Sequence, residues 1–138
     1  MNRIFLDTNI LVYAFDTSAG KKYLKAQSVL RSCWEEEKGS VSTQVLQEFY
    51  VTVTRKIPKP LSKVDAREIV QTFSAWPVYG VAFEDIVAAT ELEVQHSLSF
   101  WDSLIVRAAK GVGASTLYSE DLQDGREIEG LKIANPFH

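Results

Sequence analysis

Ile4-Phe5-Leu6-Asp7-Thr8-Asn9-Ile10-Leu11-Val12 is the stretch on which the reading of this chain turns. Three apolar residues make a short strand. Asp7-Thr8-Asn9 are residue types that stop strands and cap helices. The apolar run Ile10 to Phe15 then reads as a brief helix. If the strand lies at the centre of a sheet, Asp7 is a carboxylate at the edge of a core. Such a group needs hydrogen bonds or a cation. Asn9 and the amides of the following helix could supply the first and a metal the second, and the residues leave both open.

Outward from that strand, helices and strands alternate without a break in composition. Gly20 to about Glu37 has helix-forming composition, Ser40-Val41-Ser42 is a short strand, and Thr43 to Lys56 is helical, with Val45, Leu46, Phe49, Tyr50 and Val53 on one face. Pro58 and Pro60 break the pattern. Ser62 opens a helix with Asp65 three residues on, and Trp76-Pro77 closes it. Val78 to Phe83 holds a minor strand, and Glu84 to about His96 is helix. Ser99 caps a further helix whose stripe of Trp101, Leu104, Ile105, Ala108, Ala109 and Val112 is the cleanest in the chain; Gly111 and Gly113 punctuate its end. Ala114 to Tyr118 and Leu131 to Ala134 are strands. Short strands separated by helices predict an α/β layered fold with a mainly parallel sheet, and ligands in such sheets bind beyond the carboxyl ends of the strands. Asp7, Asp102 and the pair Glu120-Asp121 fall at strand ends or helix starts.

A length of 138 residues predicts one domain over 1–138, large enough to bury a core without staples. Hydrophobic residues at 46% and charged ones at 24% exclude a disordered or fibrous chain. No apolar run is long enough for a bilayer span, and Asp7 interrupts the stretch that a signal peptide would need. Cys33 is the only cysteine, so a disulfide framework and a cysteine-based zinc site are excluded. These features predict a cytoplasmic protein with no membrane contact. Its net charge of −3 means that a nucleic-acid partner requires local basic patches or bound metal.

The opening motif resembles that of PIN-domain ribonucleases, most closely the VapC-type toxins of bacterial toxin–antitoxin pairs. Ser42-Thr43-Gln44-Val45-Leu46-Gln47-Glu48-Phe49 is similar to the second acidic motif of the family, Ser99-Phe100-Trp101-Asp102-Ser103-Leu104-Ile105 to the third, and Leu117-Tyr118-Ser119-Glu120-Asp121-Leu122 to the fourth. The ending Gly130 to Phe137 is also similar to one branch of the family. The resemblance implies a three-layer α/β/α sandwich around a parallel sheet, with Asp7, Glu48, Asp102 and Asp121 converging as ligands or ligand-orienting groups on a metal site. Asn9, Ser42 and Ser119 match supporting polar positions, and Glu120 or Asp124 could share or take over the role of Asp121. It further implies a homodimer and a cognate antitoxin that covers the acidic pocket.

Four carboxylates without histidine or thiolate suit Mg²⁺ or Mn²⁺. Brought together without a cation they repel and raise one another's pKa values, so a divalent ion belongs to the expectation, and it turns an acidic pocket into a receptor for phosphate. The expected reaction is metal-assisted hydrolysis of RNA phosphodiesters by water, leaving 5′-phosphate and 3′-hydroxyl ends. Each acid also has a purely structural explanation: Asp7 as a cap, Asp102 at the positive end of its helix, Asp121 in a turn, and Glu48 on a solvated polar face with Thr52 and Arg55. Arg55, Lys56, Lys59 and Lys63 form one basic cluster and Lys21, Lys22 and Lys25 another, either of which could track a phosphate backbone or be ordinary surface. Trp76 and Trp101 lie on or beside apolar stripes and are expected in the core.

Other classes fit less well. A haloacid-dehalogenase-type phosphatase wants an acid where Asn9 stands, and a two-component receiver wants adjacent acids after the first strand. Gly111-Val112-Gly113 lies at a helix end, unlike a dinucleotide-binding loop, and neither His96 nor His138 lies in a catalytic motif. The alternatives kept beside a toxin are a PIN-type nuclease without an antitoxin and a degenerate domain that only binds RNA or protein.

Overall fold

The computed structural model describes residues 2–138. Its centre is a six-stranded sheet in the order β3-β2-β1-β4-β6-β5, formed by β1 (Ile4–Leu6), β2 (Gly39–Ser42), β3 (Val78–Tyr79), β4 (Thr116–Tyr118), β5 (Glu127–Ile128) and β6 (Leu131–Ala134). All neighbours run parallel except β5 and β6. Phe5 stands opposite Ser40 on one side and Leu117 on the other. β1 is buried along its whole length, as its unbroken apolar run requires of a strand covered on both faces.

The connections fix which face each helix covers. Between β1 and β2 come α1 (Thr8–Tyr13) and α2 (Lys21–Glu35); between β2 and β3 come α3 (Thr43–Arg55) and α4 (Lys63–Thr72). Both crossovers step the same way along the sheet. α5 (Phe83–His96) and α6 (Phe100–Gly111) connect β3 back to β4 in the opposite direction. Parallel crossovers are right-handed, so α1–α4 occupy one face and α5–α6 the other. The result is the expected α/β/α sandwich. The direction in which the crossovers step along the sheet reverses between β1 and β4, and a switch point of this kind opens a crevice beyond the strand ends.

Two local differences from the sequence reading have simple causes. α1 starts at Thr8 rather than Ile10, because the Asp7 side chain accepts the Thr8 amide at 2.7 Å and caps the helix at that point. β5, with two residues, carries no readable periodicity, and it pairs antiparallel with β6 as a small hairpin at the sheet edge. Elsewhere the caps fall where expected: Ser62 accepts from Asp65 N and Ser99 from Asp102 N, each at 3.1 Å.

α6, which carries Asp102, is anchored by an ion pair between its half-exposed Arg107 and the buried Asp85. Asp85, 2% exposed, accepts from Arg107 Nε and the Ala82 amide at 2.8 Å and from the Tyr79 hydroxyl at 2.6 Å. These bonds join β3, the start of α5 and α6, and with Tyr79, Ala82 and Arg107 all donating, Asp85 stays below the usual carboxylate range despite its burial. Gly111 lies under the ring of Tyr79, where a Cβ would collide with it; the glycine is there for close approach, while the stop comes from Gly113 at φ +74°.

Candidate active site

At the switch point, the carboxyl ends of β1 and β4 deliver Asp7 and Asp121, α3 delivers Glu48 from the second turn of its polar side, and α6 delivers Asp102 from its first turn. All four line one cavity of about 550 Å³, with Thr8, Asn9, Gln44, Gln47, Thr52, Lys56 and Trp101 among its other walls.

Asp7 is almost completely buried, at 6% exposure. Its Oδ1 accepts the Thr8 amide and its Oδ2 the Ser119 hydroxyl, both at 2.7 Å. Ser119 is itself fully buried and accepts the amides of Asp121 at 3.2 Å and Leu122 at 3.4 Å. Asn9 does not reach to Asp7 but donates to Asp121 Oδ2 at 2.9 Å. The Thr8 hydroxyl donates to Glu48 Oε1 at 2.6 Å, which ties the end of β1 to α3. Ser42 caps α3 through the Val45 amide at 3.2 Å, one step removed from the cavity. Asp102 lies in the first turn behind its Ser99 cap.

Burial pushes the Asp7 carboxyl up to about 6; the bonds from Ser119 and Thr8 oppose this, and the charges of Asp121 and Asp102 add to it. Asp121 is also raised, by partial desolvation and then by Asp102 and Glu120, with Glu48 adding to it and the Asn9 bond working against it. The acids of the four elements therefore feel one another. Among the described residues, however, no three acidic, histidine or cysteine side chains stand close enough to clasp a single ion. Each of Asp7, Glu48 and Asp121 is turned to its own donor instead.

The two candidate substitutes for Asp121 point elsewhere. Glu120 accepts from the Tyr13 hydroxyl at 2.7 Å and pairs with Lys22. Asp124 holds the Asn135 amide at 2.8 Å and faces His138. The basic clusters divide similarly. Among the described residues Lys56 is the one cationic side chain on the cavity wall, while Lys21, Lys22 and Lys25 border a separate cleft with Pro136, Phe137 and His138.

Trp76 is in the core as expected, against Trp34 at 4.8 Å between ring centroids and Phe73 at 4.9 Å. Trp101 is not: it is 63% exposed at the cavity mouth. Its spacing fits the stripe of α6, but in the first turn that side of the helix borders the open cavity and not the core. Thr8 and Gln44 were not singled out from sequence. Gln44 is buried, lines the cavity, and leaves Oε1 without a hydrogen-bond partner. A signal existed: Gln44, Glu48, Thr52 and Lys56 recur at four-residue spacing along one side of α3.

The donor set is all oxygen, from carboxylates and one unpaired amide, which suits a hard divalent cation rather than zinc or copper. The class is thus an α/β/α sandwich with an acid-lined crevice at its switch point. The chain belongs to the PIN-domain family, whose model matches residues 4–124. No curated protein sequence matches it. Its fold is similar to that of a toxin–antitoxin complex from Klebsiella pneumoniae, with TM-score 0.68 and 18% identity over 96% of this chain and 97% of that one. VapC20 of Mycobacterium tuberculosis, a sarcin–ricin loop cleaving toxin, aligns with TM-score 0.65 and 21% identity over 86% of this chain and 89% of its own. DNA-bound VapBC from Salmonella typhimurium aligns with TM-score 0.67 and 15% identity over 99% of both chains.

Proposed function

We propose that the protein is a metal-dependent endoribonuclease, the toxin of a toxin–antitoxin pair. One observation carries the reading: in a PIN-domain chain, acids from four separate segments line a single cavity at the switch point of the sheet. Asp7 and Asp102 would be the main holders of Mg²⁺ or Mn²⁺, with Glu48 and Asp121 completing the site through water, at a second ion, or as the group that takes up a proton. When bound, such an ion supplies an acidified water and neutralises charge on the phosphate. The residues of the chain do the rest. Ser119 and the Thr8 amide fix both oxygens of Asp7. Thr8 holds Glu48 by Oε1, leaving Oε2 for whichever of those roles it takes. Attack by water leaves 5′-phosphate and 3′-hydroxyl ends.

An antitoxin and a homodimer belong to the same reading. An apolar groove bordered by Leu46, Tyr50, Val51, Arg67 and Val70 adjoins the cavity through Gln47 and Val51, so a peptide lying in it reaches the acids. On the opposite layer, α5 exposes Phe83, Val87 and Val94 along one side, an apolar face suited to a second copy. Among the described residues no helix is long and apolar enough to cross a membrane.

The test is cleavage of a labelled single-stranded RNA with Mn²⁺, with and without EDTA. Wild type should cut only with metal, and Asp7→Asn and Asp102→Asn should not cut. Equal cleavage by all three proteins would overturn the assignment, and binding without cleavage would mark a degenerate domain.

A further inference from the structure

Among the described residues Trp101 is the one aromatic side chain on the wall of the acidic cavity, and it stands immediately before Asp102. Its ring meets Phe100 at 5.2 Å between centroids with the planes 77° apart. An edge-to-face contact covers at most one face of the indole, and at 63% exposure an open face remains. The other two indoles of the protein are packed against each other and Phe73. A large flat apolar surface kept in water beside a charged centre fits a ligand that carries both a π-face and a negative charge.

The facing wall supplies the complement. Gln44, Glu48 and Thr52 lie one above another on α3 and Lys56, the residue that caps its C-terminus, continues the row about 12 Å along the helix axis from Glu48. No ion pair among the described residues engages Lys56. On its long flexible stem the ammonium can meet a phosphate within a nucleotide or two of the reacting one.

We propose that the cavity takes an unpaired nucleotide next to the scissile phosphate, with its base stacked on Trp101 and a flanking phosphate held by Lys56. Trp101 is then a positioning residue that selects single-stranded or looped RNA, because a base inside a helix has no free face to offer. The inference rests on the nuclease reading and deepens it.

The experiment compares wild type, Trp101→Ala, Trp101→Phe and Lys56→Gln on a single-stranded RNA with one cleavage site, and on copies of it with one abasic nucleotide at successive positions. Trp101→Ala should lower kcat/KM by about 5- to 150-fold, the range that a lost base–aromatic stack produces, and Trp101→Phe should recover much of it. In wild type one abasic position near the cut should cost a similar factor, and that position should become neutral in Trp101→Ala. Lys56→Gln should keep the abasic profile and flatten the dependence of log kcat/KM on log salt by about 0.7. If wild type cuts RNA but Trp101→Ala cuts equally well, or loses rate uniformly at every abasic position, the stacking assignment is wrong and the nuclease reading stands. A change in oligomeric state without coupling to an abasic position overturns it in the same way. If wild type cuts no RNA with Mn²⁺, both fail.

Discussion

Replacing Asp7 by Asn should abolish cleavage and at the same time make the metal-free protein more stable. The Asp7 carboxyl is raised from 3.8 to about 6, chiefly by burial, with Asp121 and Asp102 contributing. At about 1.4 kcal/mol per pKa unit, holding it ionised costs the native state about 3 kcal/mol above pH 7. Between pH 4 and pH 6 the native state binds more protons than the unfolded chain, so this group makes stability fall as pH rises through that window. Asn removes the charge and keeps an oxygen for one of the two donors, the Thr8 amide or Ser119. Urea unfolding in EDTA should show Asp7→Asn gaining little over wild type at pH 4. The gain should grow by about 2 kcal/mol by pH 7.5. A variant less stable than wild type at pH 7.5, or a difference that does not change with pH, would refute the idea that Asp7 is held as an anion against burial and like charge.

Three further outcomes follow from the same contacts. Mg²⁺ should raise the thermal midpoint of wild type in a concentration-dependent way, worth about 2.7 kcal/mol at a hundredfold excess over Kd; Asp102→Asn, whose carboxylate accepts no hydrogen bond among the described residues, should lose that response in a thermal-shift assay with little change in metal-free stability. Ser119→Ala strips one donor from buried Asp7 and one acceptor from two amides, and should cost about 1–3 kcal/mol in urea unfolding. Asp85→Ala leaves the Ala82 amide, the Tyr79 hydroxyl and Arg107 without their shared acceptor; it should destabilise by about 2–4 kcal/mol, while the folded fraction, measured by circular dichroism, keeps its specific activity.

Much of this arrangement is written in local sequence. Asp7, Ser62 and Ser99 each cap the helix that follows them, and capping is decided within a few residues, so it reads from sequence. The parallel sheet follows from alternating helices and short apolar runs in the same way. What does not read is what depends on where an element ends in space. The stripe through Trp101 has the right period, yet periodicity reports which side of a helix faces the core and not how far the core extends beneath it. The choice among Glu120, Asp121 and Asp124 turns on a loop whose course is set by distant partners, Lys22 and Tyr13 for the first and Asn135 for the last. Asn9 was expected to support the site near Asp7. It lines the cavity, but its partner is Asp121, 112 residues away, a pairing no local rule anticipates.

That pairing explains how the fold tolerates the cluster. Ser119, beyond β4, donates to Asp7, and Asn9, beyond β1, donates to Asp121. Each strand end thus carries one acid and the donor for the acid of the other. Because β1 and β4 are hydrogen-bonded neighbours in register from Ile4 with Thr116 to Leu6 with Tyr118, the sheet itself holds the two loops at the distance this exchange requires. Thr8 extends the bracing to Glu48 on α3. The repulsion among the acids is therefore opposed by the buried, hydrogen-bonded centre of the sheet, and a chain with a net charge of −3 can keep carboxylates gathered in a partly desolvated crevice. The same bracing has a consequence for function. With Asp7, Asp121 and Glu48 each held by a neutral donor, a cation entering the crevice must draw their oxygens together by side-chain rotation, while the sheet keeps the strand ends that carry Asp7 and Asp121 in place.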